Sequence, residues 1–380
     1  MRVIFNRCEV LARYILLLAT VVTLLPVSTY AQSQPPKRAY FVMSQEKGHV
    51  CGAPQAEGIL AALAAEGWTV GRNLTVKFHY MDQFRTNVTP DLLKKDGQKV
   101  LQDIEKFKPD IVFAIDDASI QFVMMQLIGR KDLPIVFSGM NGQVDFYNAQ
   151  KKFMDSRERP GSNVTGIYEK LYAAQSLKVM TEAVPGLRGR KVVMITDMTG
   201  TGNALTKQFE IELKDIADVQ WEVKRVRSWE EYTGLIETLN NDAQVKAIYP
   251  VAMTLTDTTG KRYPSPQIYD WTISHSKKPE MAINYFFVRM GLFGGAAVNF
   301  STMGRLAGQK GAMILKGAKA GDLPIEDSPD YAIVFNLKRA KDLGIEIPAR
   351  LLSAAHAVYR DDLMPLAGRD LVYDPATKAY

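Results

Sequence analysis

The sequence predicts an α/β chain of two lobes, each lobe a parallel sheet flanked by helices. Residues 111–115 and 135–137 are apolar runs with no alternating polar face, as parallel strands covered on both sides require. Each run ends in small or polar groups: Asp116, Asp117 and Ser119 after the first, Ser138, Gly139 and Asn141 after the second. A chain of 380 residues with 47% hydrophobic content also fills more than one core. In an open α/β sheet such strand ends share the carboxyl edge, where ligands bind. A site built from successive strand ends is therefore expected.

Taken in order, the chain opens with Arg2, Arg7 and Arg13 ahead of an apolar stretch at 14–27, followed by small residues at Thr29 and Ala31. This is the pattern of a signal peptide over residues 1–31, cleaved after Ala31, and it implies a periplasmic protein. The other reading is an uncleaved anchor, for which the apolar core is short. Cys8 leaves with the leader, so Cys51 remains as the sole cysteine and no internal disulfide can form. Residues 39–43 form the first strand, which opens into Ser44 and Gln45. Pro54 starts a helix with Ala56, Ile59, Leu60 and Leu63 on its apolar face, and Gly67 ends it. Residues 74–80 form the second strand, and Thr89-Pro90 caps a helix running towards Phe107. Residues 157–166, rich in charge, Gly and Pro, are the first passage between lobes. Beyond them a helix at 171–184 and a strand at 191–196 restart the repetition. A helix at 200–213, strands at 221–226 and 247–252, and a helix at 230–239 continue it. Residues 279–284 read as a strand, 291–297 as a stretch of small residues allowing close backbone approach, 304–315 as a helix and 331–335 as a late strand.

Several function classes are excluded. The net charge of +6 includes Arg2, Arg7, Arg13 and Glu9 of the leader, and Lys224, Arg225 and Arg227 are mixed with acidic neighbours. No surface for nucleic acid follows. No glycine-rich phosphate loop follows the first strand. None of Ser44, Ser119 and Ser138 sits in a GxSxG turn, and His49, His79, His275 and His356 offer few bases for a Ser-His-acid set. The chain is therefore read as no enzyme, without cofactor or metal; His49 and Cys51 alone do not specify a metal site. The candidate ligand-binding residues are Ser44, Gln45, Asp116, Asp117, Ser119, Ser138, Gly139, Met140, Thr196, Asp197, Thr254 and Trp271. Asp116 and Asp117 are either partners for an amine or hydroxyl, or solvated and capping carboxylates. Asp197 is either a contact or a helix cap. Trp271, with Tyr285, Phe286 and Phe287, is either an aromatic wall or ordinary core.

From about residue 41 to 352 the chain resembles the periplasmic ABC transporter substrate-binding family that includes tryptophan and tyrosine binders. The matching pieces are KPDIVFAID (108–116), LPIVFSGM (133–140), RPGSNVTGIYE (159–169), VVMIT (192–196), MGRLAGQKGAMILKG (303–317) and FNLKRAKDLGIEIP (335–348). The resemblance implies a type I periplasmic-binding fold whose lobes close around a solute without covalent chemistry. It places residues 38–160 and 291–320 in lobe one, 165–288 and 325–356 in lobe two, and 357–380 in a C-terminal extension. The implied partners are a small-molecule ligand and an ABC permease, or in the second reading a membrane sensor kinase; the protein is expected to be soluble and monomeric. An exported enzyme ranks below both. Two departures matter. Asp116-Asp117-Ala118-Ser119 stands where family members commonly carry Gly-Thr or similar small residues, and Met140-Asn141-Gly142-Gln143 stands where many carry Ser-Asp-Pro. An aromatic amino acid is therefore not carried over as the ligand. A small organic solute remains, an amino acid or related amine or carboxylate. Arg289 and Arg305 either recognise a carboxylate or are exposed hinge and helix arginines.

Overall fold

The uninterrupted apolar runs become the centre of a parallel sheet. The structure, a computed structural model, describes residues 35–251, 253–328 and 331–360. The expected leader at 1–31 and the stretch 361–380 lie outside the described residues. In chain order the first lobe contains β1 (Lys37–Met43), α1 (Gly52–Ala65), β2 (Leu74–Tyr80), α2 (Pro90–Phe107), β3 (Ile111–Ile115), α3 (Asp116–Ser119), β4 (Ile135–Met140), α4 (Val144–Gln150) and β5 (Val164–Tyr168). Thr89 caps α2 by accepting a hydrogen bond from Leu92 N at 3.3 Å, as its Thr-Pro start predicts. After α3 the helix widens into a π turn at Ile120–Met124. The sheet order is β2-β1-β3-β4-β5, the doubly wound pattern, extended at the β5 edge by β12 (Ile325–Asp327). Every pairing in it is parallel. β3, β4 and β5 are buried throughout, and apolar layers cover both faces of the sheet. Each fully buried Val, Ile or Phe there contributes about 1.5–3 kcal/mol.

The second lobe contains α5 (Ala173–Ala183), β6 (Lys191–Asp197), α6 (Gly200–Glu212), β7 (Gln220–Val226), α7 (Trp229–Asn241) and β8 (Val245–Pro250). The hairpin β9 (Thr254–Thr256) and β10 (Arg262–Pro264) follows, then α8 (Ser265–His275) and α9 (Tyr285–Arg289). β7, β6 and β8 are parallel. Residues 280–284 run alongside β8 through the Ile248–Glu280 bridge and alongside β11 (Gly294–Val298) through the Met281–Gly294 and Asn284–Val298 bridges. β11 pairs antiparallel with β13 (Tyr331–Asn336), which pairs in parallel with β14 (Ala357–Tyr359). The remaining helices are α10 (Phe300–Leu315), α11 (Leu337–Asp342) and α12 (Ala349–Ala354).

The late crossings differ from expectation in detail. Within 291–320, β11 stays in the second sheet and α10 returns to pack on α1 and on β3, β4 and β5. Residues 325–327, expected in lobe two, close the first sheet. The β5 edge would otherwise expose unpaired backbone. Lys310, buried on α10, holds this strand through Pro324 O at 2.7 Å and the Glu326 carboxylate at 2.5 Å. A three-residue strand with one apolar side chain leaves almost no periodic signal, which is why the sequence hid it. Residues 357–359 are strand rather than extension.

The α1–α10 contact is set by glycine. A Cβ on Gly304 would lie 2.1 Å from Gln55 O, and one on Gly308 would lie 2.6 Å from Ile59 O. Gly304→Ala is therefore expected to destabilise by about 1–3 kcal/mol by overpacking, even though alanine gains about 1 kcal/mol in helix propensity. Urea titration checks this, and a variant as stable as the parent would refute the close-contact account.

Candidate functional site

The site grows from the point where the first sheet's strand order reverses, between β1 and β3. Ser44 follows β1, donates to Ile115 O at 2.7 Å and accepts from Ser119 N at 2.8 Å. Ser119 donates to Ile115 O and Asp116 O, each at 2.8 Å. These bonds hold Asp116 in the left-handed region, at φ 64. Aspartate tolerates that conformation better than most residues. Asp116 Oδ1 accepts from Gln55 Nε2 at 2.8 Å, and Gln55 Oε1 accepts from Ser138 Oγ at 2.7 Å, so α1 and β4 fix the carboxyl between them. Gly139, at φ 76, leaves the needed room, since a Cβ there would stand 2.2 Å from Asp116 Oδ1. Burial pushes Asp116 up to about 7, against the hydrogen bonds from Gln55 and Gln45, and the neighbouring Asp117 adds to the rise.

Two further carboxyls join it. Asp117 Oδ1 accepts from Asn141 N at 3.2 Å, Gly142 N at 3.0 Å and the Tyr147 hydroxyl at 3.1 Å. Glu169, just past β5, is buried and accepts from Asn141 Nδ2 at 3.3 Å. Burial raises both, and Asp116 and Asp117 raise Glu169 further. Among the described residues, none of the three carboxyls forms an ion pair with Lys or Arg.

The second lobe meets this cluster from the other side. Gln208 of α6 donates to Glu169 O at 2.8 Å, and Asn284 directs its amide at Cys51 Sγ at 3.9 Å. The Tyr249 hydroxyl, at the end of β8, is buried with no hydrogen-bond partner. Its pKa is raised by burial and then by Glu212 and Glu169. Burial also raises the Cys51 thiol, helped by Asp116, Glu169 and Glu46. His49, which accepts from Cys51 N at 3.2 Å, is pushed down to about 4 by burial and by Arg85, so it is neutral. Among the described residues no three His, Cys, Asp or Glu side chains are placed to hold a metal ion. A cavity of about 350 Å³ opens beside the cluster where β5 leaves the first lobe, lined by Gln143, Tyr168, Lys170, Gln208 and Glu212 among others.

The expected site residues divide. Asp116, Asp117, Gly139 and Gln45 gather at the cluster. Ser44, Ser119 and Ser138 are fully buried, with their hydroxyl protons committed to Ile115, Asp116 and Gln55, so they shape the edge and carry no free donor towards a solute. Met140 is buried in β4 beside Tyr168. Thr196 is buried against Thr206 at 3.0 Å, and Asp197 accepts from Thr199 N at 3.0 Å, Thr199 being the cap of α6 through Gly202 N at 3.1 Å. Thr254 is half-buried in the β9–β10 hairpin. Trp271 stacks on His275 at 4.1 Å and meets Trp229 and Tyr232 edge-on, so its ring faces are used within the second lobe. Phe287 is core, against Tyr269 at 4.7 Å. Arg305 is exposed on α10 and Arg289 half-buried at the end of α9. Gln55, Glu169 and Tyr249 were missed, although Glu169 ends a buried strand just as Asp116 does.

A model of the family described as ABC transporter substrate binding protein matches residues 53–359. A tyrosine-binding protein of Clostridioides difficile (strain R20291) is 21% identical over 292 residues, covering 76% of each chain. Among solved structures, the ABC domain from Streptococcus pneumonia in complex with L-Trp is 20% identical, with a TM-score of 0.66 over 86% of this chain and all of that one. A ligand-free, open substrate binding protein with adhesive properties from Clostridium difficile has a TM-score of 0.60 at 20% identity, again over 86% and 100%. At these identities the structures establish the shared fold.

Proposed function

This chain belongs to the ABC transporter substrate binding protein family, and from that premise we propose that it captures a small organic solute between its lobes for delivery to a membrane permease. The proposal includes export to the periplasm through the leader at 1–31. The observation that carries it is the set of buried carboxyls, Asp116, Asp117 and Glu169, brought from the ends of β3 and β5 in one lobe to the place where Glu169 meets Gln208 and Tyr249 of the other. A buried acidic group without a countercharge costs several kcal/mol unless it is protonated or partnered. A bound solute supplies the partner and favours the closed arrangement by its excess affinity for that state.

Native mass spectrometry of gently purified mature protein tests capture. One small molecule per chain, released on denaturation, is the expected result. Folded protein that carries nothing and is not stabilised by any member of a broad metabolite screen would refute it.

A further inference from the structure

We infer that the captured solute is an organic amine without a carboxylate, its ammonium held between Asp116 and Glu169. This deepens the capture reading and rests on it. An acidic cluster alone would not specify a ligand, but beside it, along with the unpartnered Tyr249 hydroxyl, buried acceptor oxygens from both lobes stand without a donor. Gln45, 5% exposed, has its Oε1 buried without a hydrogen-bond partner. Asp116 Oδ2 is likewise buried without a hydrogen-bond partner, although the Gln45 amide lies close enough to the carboxyl to oppose its rise. The two oxygens border one point: a Cβ on Gly52 would lie 2.9 Å from Gln45 Oε1 and 3.8 Å from Asp116 Oδ2. Gln208, 1% exposed, is tied to Glu169 O through its amide nitrogen, while its Oε1 is buried and unpartnered. Unused acceptors therefore flank the carboxyls from both lobes. An ammonium brings three donors and a positive charge to that place.

The cations that could receive a carboxylate are already engaged: Arg157 and Lys170, which line the neighbouring cavity, both pair with Asp327, at 2.6 and 3.6 Å. Arg305 is exposed on α10, and neither it nor Arg289 acts on the three carboxyls. The start of α1 is the nearby anion-binding element, yet Cys51 N and Ala53 N are already bonded to His49 at 3.2 and 2.9 Å. A zwitterion would bring its negative end into a field set by Asp116, Asp117, Glu169 and Glu46. The same tyrosine or tryptophan side chain without its carboxylate avoids that repulsion.

Calorimetric titration of the full mature chain with matched pairs tests this: tyramine against tyrosine, tryptamine against tryptophan, agmatine against arginine, putrescine against ornithine. At least one amine is expected to bind ten-fold or more tightly than its carboxylate-bearing twin. Glu169→Gln is expected to weaken that amine ten-fold or more while leaving the circular dichroism spectrum unchanged. Equal or tighter binding of the amino acids overturns the inference and leaves solute capture intact. Failure of all four amines also overturns it, and only an empty native mass spectrum removes capture as well.

Discussion

Asp116→Asn stabilises the ligand-free protein at pH 8 while abolishing its binding of solute. The folded-state carboxyl lies at about 7 against an ordinary 3.8. A raised acid contributes stability that is fully present below 3.8 and lost as pH rises through about 7. The loss across that window is on the order of 4 kcal/mol, at about 1.4 kcal/mol per unit. Asparagine does not titrate, keeps an oxygen for the Gln55 amide, and so removes this loss. Asp117 and Glu169 face the same place and are also raised, so part of the slope remains in the variant. Urea midpoints of both proteins at pH 5 and pH 8 provide the measurement. Parallel slopes would show that Asp116 is not the group responsible. A gain in stability at the expense of binding is what a site holding an uncompensated charge should display.

Arg339→Met is the most damaging single change expected in the second lobe. Arg339 and Glu280 are both buried and form a paired contact through both guanidinium and carboxylate arms, with Arg339 Nε 3.0 Å from Glu280 Oε2. The same guanidinium donates to Ile273 O at 2.8 Å and Ser276 O at 2.9 Å, joining α8, the 280–284 segment and α11. Removing one member of such a pair costs about 3–5 kcal/mol, because the other is left charged in the interior. Burial already holds Glu280 above its ordinary 4.5 despite Arg339. In the variant Glu280 takes up a proton, so the defect is smaller at acid pH and grows as pH rises. A cost below 1 kcal/mol at pH 8 by urea titration would refute this account. Adding Glu280→Leu is expected to recover part of the loss, since the two carbonyls still lack a donor.

The strands with the longest buried runs were legible because burial on both faces leaves nothing for polar residues to do. Position at the carboxyl edge was equally legible, and Asp116 and Asp117 lie where that rule puts them. Which strand-end groups remain available was not legible. A small hydroxyl beside a chain reversal bonds the nearest backbone carbonyl, and Ser44 and Ser119 do so, whereas the longer Gln55 reaches across from a helix whose neighbours read as plain core. Trp271 shows a related limit: its residue type leaves an aromatic wall and ordinary core equally open, and only the helical phase of α8 turns the ring towards α7. The exchange of late segments between lobes depended on hydrogen bonds between residues more than 150 apart, such as Thr165 with Leu323 O and Pro324 O, which local pattern does not register.

The position of β12 also sets a schedule for synthesis. β5 ends at Tyr168, but the strand that closes its edge begins at Ile325, and α10, which seals one face of the same sheet, lies just before it. At ribosomal speed the gap is on the order of ten seconds. Through that interval the first lobe cannot complete, however quickly its own strands pair.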